Sequence, residues 1–361
     1  MKLYVATAIA LVLVFGIFTS SNILESLQGK KIQNKHLNIS PQKGLYSTMW
    51  TARAKGVNDL IRIADETEIN TLVIDVKDSG VYLGSYIKNL VSELHQKNIY
   101  AIARMVVFQD NSQIISHPDW YFQKPARAGG SDGILWQDEK GWYWLNPENR
   151  EVWNYNVFIA KEAIDAGFDE INFDYIRYPA FVKDEDVDFP PLPAEASAKA
   201  GEFIYVSKSQ VINKFAQYLT SELKKYDPNI KLSVDVFAYS MLRTDDLKIG
   251  QVFKELYDYF DYICPMIYPS HYLPGNFGFA NPAEHPYEVV LKTIESGKAQ
   301  LGEKDLKKLR PWIQDFDIGA MYNEEMVRKE KQAVYDSGLT AGWLLWNPRN
   351  VYTEPALDKE F

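Results

Sequence analysis

Gly167–Pro179 reads GFDEINFDYIRYP, an apolar, strand-like run that carries Asp169, Glu170, Asp174 and Arg177 within a few positions. A buried carboxylate is costly unless something pairs with it, so a strand that only filled a core would have little use for several. Either the charges sit at the solvent-facing ends of the strand, or the strand delivers them to a site.

The flanking sequence decides what kind of strand this is. From Lys43 onward, short β-branched or aromatic runs alternate with longer amphipathic ones. Eight runs read as strands: GLYSTMW (44–50), TLVIDVKD (71–78), YAIARMVVF (100–108), EINFDYIRYP (170–179), LSVDVFAY (232–239), YICPMIYP (262–269), RPWIQDF (310–316) and GWLLWNP (342–348). Between them, stretches such as NDLIRIADETEI (58–69), IKNLVSELHQKN (87–98), EVWNYNVFIAKEAIDAG (151–167) and SQVINKFAQYLTSELKKY (209–226) place apolar residues at three- and four-residue spacing. Alternating strands and helices imply a parallel sheet, and eight such units imply a (β/α)8 TIM barrel over residues 43–361. Only EPALDKEF follows the eighth strand, which leaves the last helix without a clear sequence.

Loop lengths support the same fold. Turns from helix into strand are terse, whereas those leaving strands three, four and six are long: Gln109 to Arg150, Ala180 to Glu202 and Ser270 to His285. Growth at the carboxyl ends of strands is expected where the loops build a working face. The acidic, proline-rich KDEDVDFPPLPAEASAKAG (183–201) reads as a flap between two barrel units rather than a linker.

The amino terminus has its own signature: one lysine, then an apolar run from Leu3 to Phe18. It reads as a signal peptide or uncleaved signal anchor over residues 1–21, followed by a polar tether over 22–42. The expectation is an exported protein, extracellular or in the cell envelope, with a membrane tether if the segment is retained. A net charge of -9 with no basic stripe argues against a nucleic-acid partner. The single cysteine, Cys264, excludes an intramolecular disulfide framework, and its apolar setting reads as a small buried hydrophobe. Five scattered histidines lack the spacing of a zinc site, and no phosphate or dinucleotide fingerprint is present, so no metal or other cofactor is expected.

On a barrel, the upper ends of the strands bring together Asp75 and Asp78, Arg104, Asp174 with Arg177, Asp235, Tyr268, Gln314 with Asp315, and Trp346 with Asn347. Paired carboxylates, few histidines and many aromatics suit glycosidic-bond cleavage, which needs one carboxylic acid to protonate the leaving oxygen and one carboxylate to attack or to activate water across the sugar plane. Asp174 suits the nucleophile, with Arg177 near in sequence to hold it ionised, and Asp235 suits the acid, its apolar neighbours raising its pKa. Asp75, Asp78, Arg104, Trp142, Arg177, Tyr268, Gln314, Asp315 and Trp346 are the expected substrate contacts. Asp75 also has a structural reading, an ion pair with Lys77. Among the loop aromatics, Trp142 and Trp136 suit sugar faces if exposed, whereas Trp144 and Trp153 also read as anchors of the loop.

The segments GLYSTMWTA, TEINTLVIDVKDSG, YAIARMVVFQD, WLNPENREVWNYNVFIAKEAIDAGFDEINFDYIRYP and RPWIQDF resemble the glycosyl-hydrolase-type family called domain-of-unknown-function 4015, over about Lys43 to Pro348. The resemblance implies a bacterial, exported, hydrolase-like barrel acting on cell-envelope or other polysaccharide, with peptidoglycan-type glycan or exopolysaccharide as the leading substrates. Related barrels carry two aspartates in the fourth strand, and here Tyr175 stands where the second would be. Two functions therefore compete: an O-glycoside hydrolase, and a non-catalytic glycan-binding protein on the same scaffold.

Overall fold

In the structure, a computed structural model, residues 36–78, 80–81, 83–125, 133–180, 207–302 and 306–359 are described. The expected signal segment, the tether up to residue 35 and the flap at 183–201 lie outside them. Eight parallel strands close into a barrel in chain order: β1 (Gln42–Ser47), β2 (Thr71–Lys77), β3 (Tyr100–Val106), β4 (Glu170–Asp174), β5 (Lys231–Phe237), β6 (Tyr262–Met266), β7 (Trp312–Gln314) and β8 (Gly342–Trp346). Each coincides with an expected run, but the rim residues at 175–179 and 267–269 have left the sheet.

Helices cover the outside: α1 (Met49–Arg53), α2 (Gly56–Glu66), α3 (Ser85–Gln96), α4 (Arg150–Ala166), α5 (Lys208–Tyr226), α6 (Tyr239–Leu242), α7 (Phe253–Leu256), α8 (Pro286–Leu301) and α9 (Glu324–Asp336). The Asn149 side chain caps the start of α4, and Gly167 ends it at φ 104°, just before β4 begins. Among the described residues no helix follows β8 beyond a 3-10 turn at Glu354–Ala356. An ion cluster of Lys331, Glu68 and Asp358 fastens that last segment.

Strand periodicity sorts the core into two compartments. Ile171 and Phe173 of β4, Ala101, Ala103 and Met105 of β3, and Leu232, Val234 and Val236 of β5 face the helices in one apolar cluster. Burying each of the larger side chains contributes about 1.5–3 kcal/mol. The alternate residues point into the barrel, where a smaller cluster of Val73, Tyr100, Ile102, Cys264, Trp312 and Leu344 fills the centre. At the β1–β8 seam the backbones approach closely: a Cβ on Gly342, at φ 95°, would lie 1.8 Å from the Gln42 carbonyl oxygen, so glycine is required there.

The lower end of the barrel is sealed. Leu37 and Ile39 pack under the inner cluster, and the Leu37 amide donates to Asp169 Oδ1 at 2.7 Å. His36 and His95 bond to Asp227 and Asp169 at 2.9 and 3.0 Å. The expected tether, where it is described at residues 36–42, thus belongs to the barrel. One step further in, Glu170 pairs with Arg310, both fully buried, with the Ser233 and Tyr100 hydroxyls completing the carboxylate's partners. Among the described residues no helix is long and apolar enough to cross a membrane.

Candidate active site

The inward face of β4 carries Glu170, Asn172 and Asp174 in succession, so the strand holds one ion-paired carboxylate at its base and a second at its rim. Arg104 of β3 is in register with Asp75 of β2 and Asn172 of β4, which sets its guanidinium at the level of the upper carboxylates. Its Nη1 donates to Asp75 Oδ1 at 2.6 Å and its Nη2 to Asp174 Oδ2 at 2.5 Å, while Nε lies 3.9 Å from Asp235 Oδ2. Behind it, Tyr46 donates from its hydroxyl to Asp75 Oδ2. Trp346 stacks on Tyr46 at 3.9 Å between centroids, and the guanidinium sits 5.1 Å from the Trp346 ring.

One cation thus faces three carboxylates, all almost fully buried. That imbalance is relieved by protonation. Asp235 is raised to about 8, first by burial and then by the charge of Asp174, against the opposing pull of Arg104. Its Oδ1 already accepts from Asn172 Nδ2 at 2.9 Å and from Trp312 Nε1 at 2.8 Å. With both lone-pair directions of Oδ1 used, the proton belongs on Oδ2. Burial also raises Asp75, with Arg104 opposing. Asp174 accepts the Tyr175 amide at Oδ1, 2.6 Å away, and Tyr175 reaches that position only in the left-handed region, at φ 55°.

A cleft of about 420 Å³ opens above this cluster. Of the expected site residues, Arg104, Asp174, Arg177, Asp235, Tyr268 and Trp346 line it. Several others are placed differently. Asp75 lies beneath, behind Arg104, and its partner is not Lys77, which pairs with the buried Asp110 at 2.8 Å and so holds the root of the third loop. Arg177 does not hold Asp174: its guanidinium lies 4.8 Å from the rings of Trp144, Tyr175 and Phe237 and donates to the Tyr178 carbonyl. Gln314 is buried behind the wall, and Asp315 points away to accept from Thr353. Asp78, exposed just past β2, does not line the cleft.

The third loop also departs from expectation. Trp142 is half-buried and does not line the cleft, and Trp136 is buried in the outer apolar cluster. Trp144 is buried with Nε1 donating to Asp138, and Trp153 donates to the Pro147 carbonyl; both fasten the loop. Among the described residues the loop contributes Lys140 to the cleft. The wall instead uses Trp312, Tyr175, Phe237, Tyr239, Tyr272 and His271, none of which sequence reasoning had proposed as a contact. Trp312 carried a usable signal, since it stands two residues before Gln314 on a recognised strand and shares its face. Among the described residues no group of three or more His, Cys, Asp or Glu side chains could hold a metal ion.

The barrel is similar to solved carbohydrate-active enzymes. An α-amylase from Lactobacillus plantarum superposes with a TM-score of 0.52 at 12% identity, over 86% of this chain and 71% of that one. An α-galactosidase from Lactobacillus brevis gives 0.51 at 12% identity, over 85% and 38%. A hypothetical protein from Ruminiclostridium thermocellum ATCC 27405 is 28% identical over 53% of this chain and 97% of its own, with a TM-score of 0.42. This chain spans less than two thirds of the length of the α-galactosidases, at 59%, 40% and 38% of three of them. No curated protein matches the sequence. The α-amylase and the Lactobacillus brevis α-galactosidase share the barrel; the family is given by the sequence, which over residues 44–352 matches the "Putative glycosyl hydrolase domain" DUF4015, and the chain belongs to that glycosyl hydrolase family.

Proposed function

We propose that the protein is an O-glycoside hydrolase acting on bacterial envelope glycan or exopolysaccharide, with Asp174 and Asp235 as its paired carboxylates. The observation that carries this reading is that the two acids share one guanidinium yet sit in different surroundings. Asp174 is held by donors at both oxygens, whereas Asp235 is buried, raised and has Oδ2 left to carry a proton. In the reaction, Asp174 attacks the anomeric carbon as the glycosidic C–O bond breaks, and the leaving oxygen takes the Asp235 proton. Water then releases the sugar from Asp174, with Asp235 now the base. Arg104 orients Asp174 and tempers the negative charge around it. The aromatic wall suits the apolar faces of pyranose rings.

The amino-terminal apolar run supports export, with activity at the cell envelope and a membrane anchor if the segment is kept. The test is to screen the full chain against peptidoglycan glycan strands and exopolysaccharides, with mass-spectrometric detection of new ends. Release of oligosaccharides by the wild type but not by Asp174→Asn is expected. One feature favours a second reading, a glycan-binding protein without turnover: an Asp174 engaged at both oxygens must loosen one bond before it attacks. Binding of a polymer with no product from any of them would select that alternative.

A further inference from the structure

His271 stands on the cleft wall at the end of the 3-10 turn Pro269–His271, and the groups behind it fix which of its nitrogens carries hydrogen. The argument starts at Gln314, the buried last residue of β7. Its backbone amide donates to Glu330 at 2.7 Å and its side-chain Nε2 to the Phe316 carbonyl at 2.9 Å, so the amide orientation is set. Oε1 then faces Ser270, accepting from its backbone amide at 3.2 Å and from its hydroxyl at 2.8 Å. A serine hydroxyl has a single proton, and here it goes to Gln314 because an amide oxygen cannot donate. The 2.9 Å contact between Ser270 Oγ and His271 Nδ1 must therefore run the other way, with Nδ1–H as donor. In the neutral ring this leaves Nε2 a bare acceptor.

Two further observations fit. Partial burial, with the nearby Lys140 charge from the third loop, lowers the His271 pKa and so favours the neutral ring. Tyr268 and Phe316 pack edge-on against the imidazole, at 5.4 and 6.0 Å between centroids, which holds its plane. Among the described residues Nε2 has no hydrogen-bond partner.

We propose that His271 is a specificity-determining residue, held as the Nδ1–H tautomer by Gln314 and Ser270 so that Nε2 accepts a hydrogen bond from a free hydroxyl of the bound sugar. The identity of the ligand as a sugar rests on the glycoside reading above. The discrimination follows from the tautomer: a methyl ether, an acyl carbonyl or a carboxylate that displaces water from the exposed ring has no hydrogen to give in its place and leaves Nε2 unpaired.

The tautomer is tested on the full chain, 15N-labelled, by long-range proton–nitrogen NMR of the imidazoles at a pH where the ring is neutral, with His271→Gln for assignment. A pyrrole-type Nδ1 and pyridine-type Nε2 are expected, with Ser270→Ala shifting population towards Nε2–H; a pyridine-type Nδ1 in the wild type overturns the proposal. The hydroxyl is tested with peptidoglycan glycan-strand and exopolysaccharide oligosaccharides, native and O-methylated, titrated onto the Asp174→Asn chain. Methylation should weaken binding by a factor that shrinks about tenfold in His271→Phe and recovers in His271→Gln, as one hydrogen bond predicts. An unchanged factor overturns the proposal. If no native oligosaccharide binds and the wild type cleaves none, the glycoside reading has failed and takes the sugar hydroxyl with it, while the tautomer measurement is unaffected.

Discussion

Arg310 and Arg104 both point into the barrel, one near each end, and their surroundings differ in charge balance and in access. Arg310 meets one carboxylate, Glu170, whose oxygens are completed by Ser233 and Tyr100 under a sealed floor. Arg104 meets Asp75, Asp174 and Asp235 beneath an open cleft. The lower pair balances its charge and has nothing further to bind. The upper cluster has more carboxylates than cations, and a proton on Asp235, whose pKa is raised to about 8, reduces the excess. A balanced buried pair is structure; an unbalanced one facing solvent is available for chemistry.

The contrast is broken most strongly at the rim. Asp174→Asn should lower turnover by at least ~10³-fold, since no other group replaces the attacking oxygen. The fold should survive within about 1 kcal/mol, because Arg104 keeps Asp75 and Asp235 as partners. Chemical denaturation and product analysis check both halves; a loss of several kcal/mol together with persisting cleavage would make Asp174 a structural ion-pair partner like Glu170. At the floor the pattern inverts. Arg310→Met or Glu170→Gln strands a fully buried charge and should destabilise by about 3–5 kcal/mol, with activity per folded molecule retained. A mild effect on melting there would show that the lower pair is not the simple counterpart drawn above.

Asp235→Asn comes next, with a loss of ~10²–10⁴-fold on natural linkages and less on aryl glycosides, whose leaving groups need little protonation. The acid works while protonated, so kcat/KM should fall as pH rises through about 8, and that limb should vanish in the variant. A pH profile flat on the alkaline side would remove Asp235 from the acid role. The smallest effect separates two tryptophans. Trp346→Ala, on the cleft wall, should weaken glycan binding by about 1–3 kcal/mol, whereas Trp142→Ala should change it by less than about 0.5 kcal/mol. Calorimetry on both variants decides it, and equal losses would mean that the cleft extends over the third loop.

The barrel was legible because strand and helix repeat at distinct periods, and all eight expected runs overlap a strand. The rim was legible only in part. Asp174, Asp235 and Arg104 follow from strand ends, but the choice of Arg104 over Arg177 as the partner of Asp174 depends on which residues of neighbouring strands come level, which no single segment encodes. Gln314 and Asp315 were expected together, yet neighbours on a strand face opposite ways, and Asp315 turns out to hold Thr353. Trp142 was misplaced because a long loop has no period from which to read its facing. His271 lies in a long loop, where neither period nor spacing marks a lone hydrogen-bond acceptor.

The depth of the upper cluster has a consequence for ionic strength. Mobile ions screen charges across water over ~10 Å at 0.1 M salt, but they do not enter between Arg104 and its carboxylates. Turnover at saturating substrate should therefore hardly change with salt. The surface is different: a net charge of -9 repels an anionic polymer at a distance, and added salt weakens that repulsion. For an acidic glycan, then, rising salt should lower KM while leaving kcat in place, so that capture of the polymer and cleavage of its bond respond separately to the same medium.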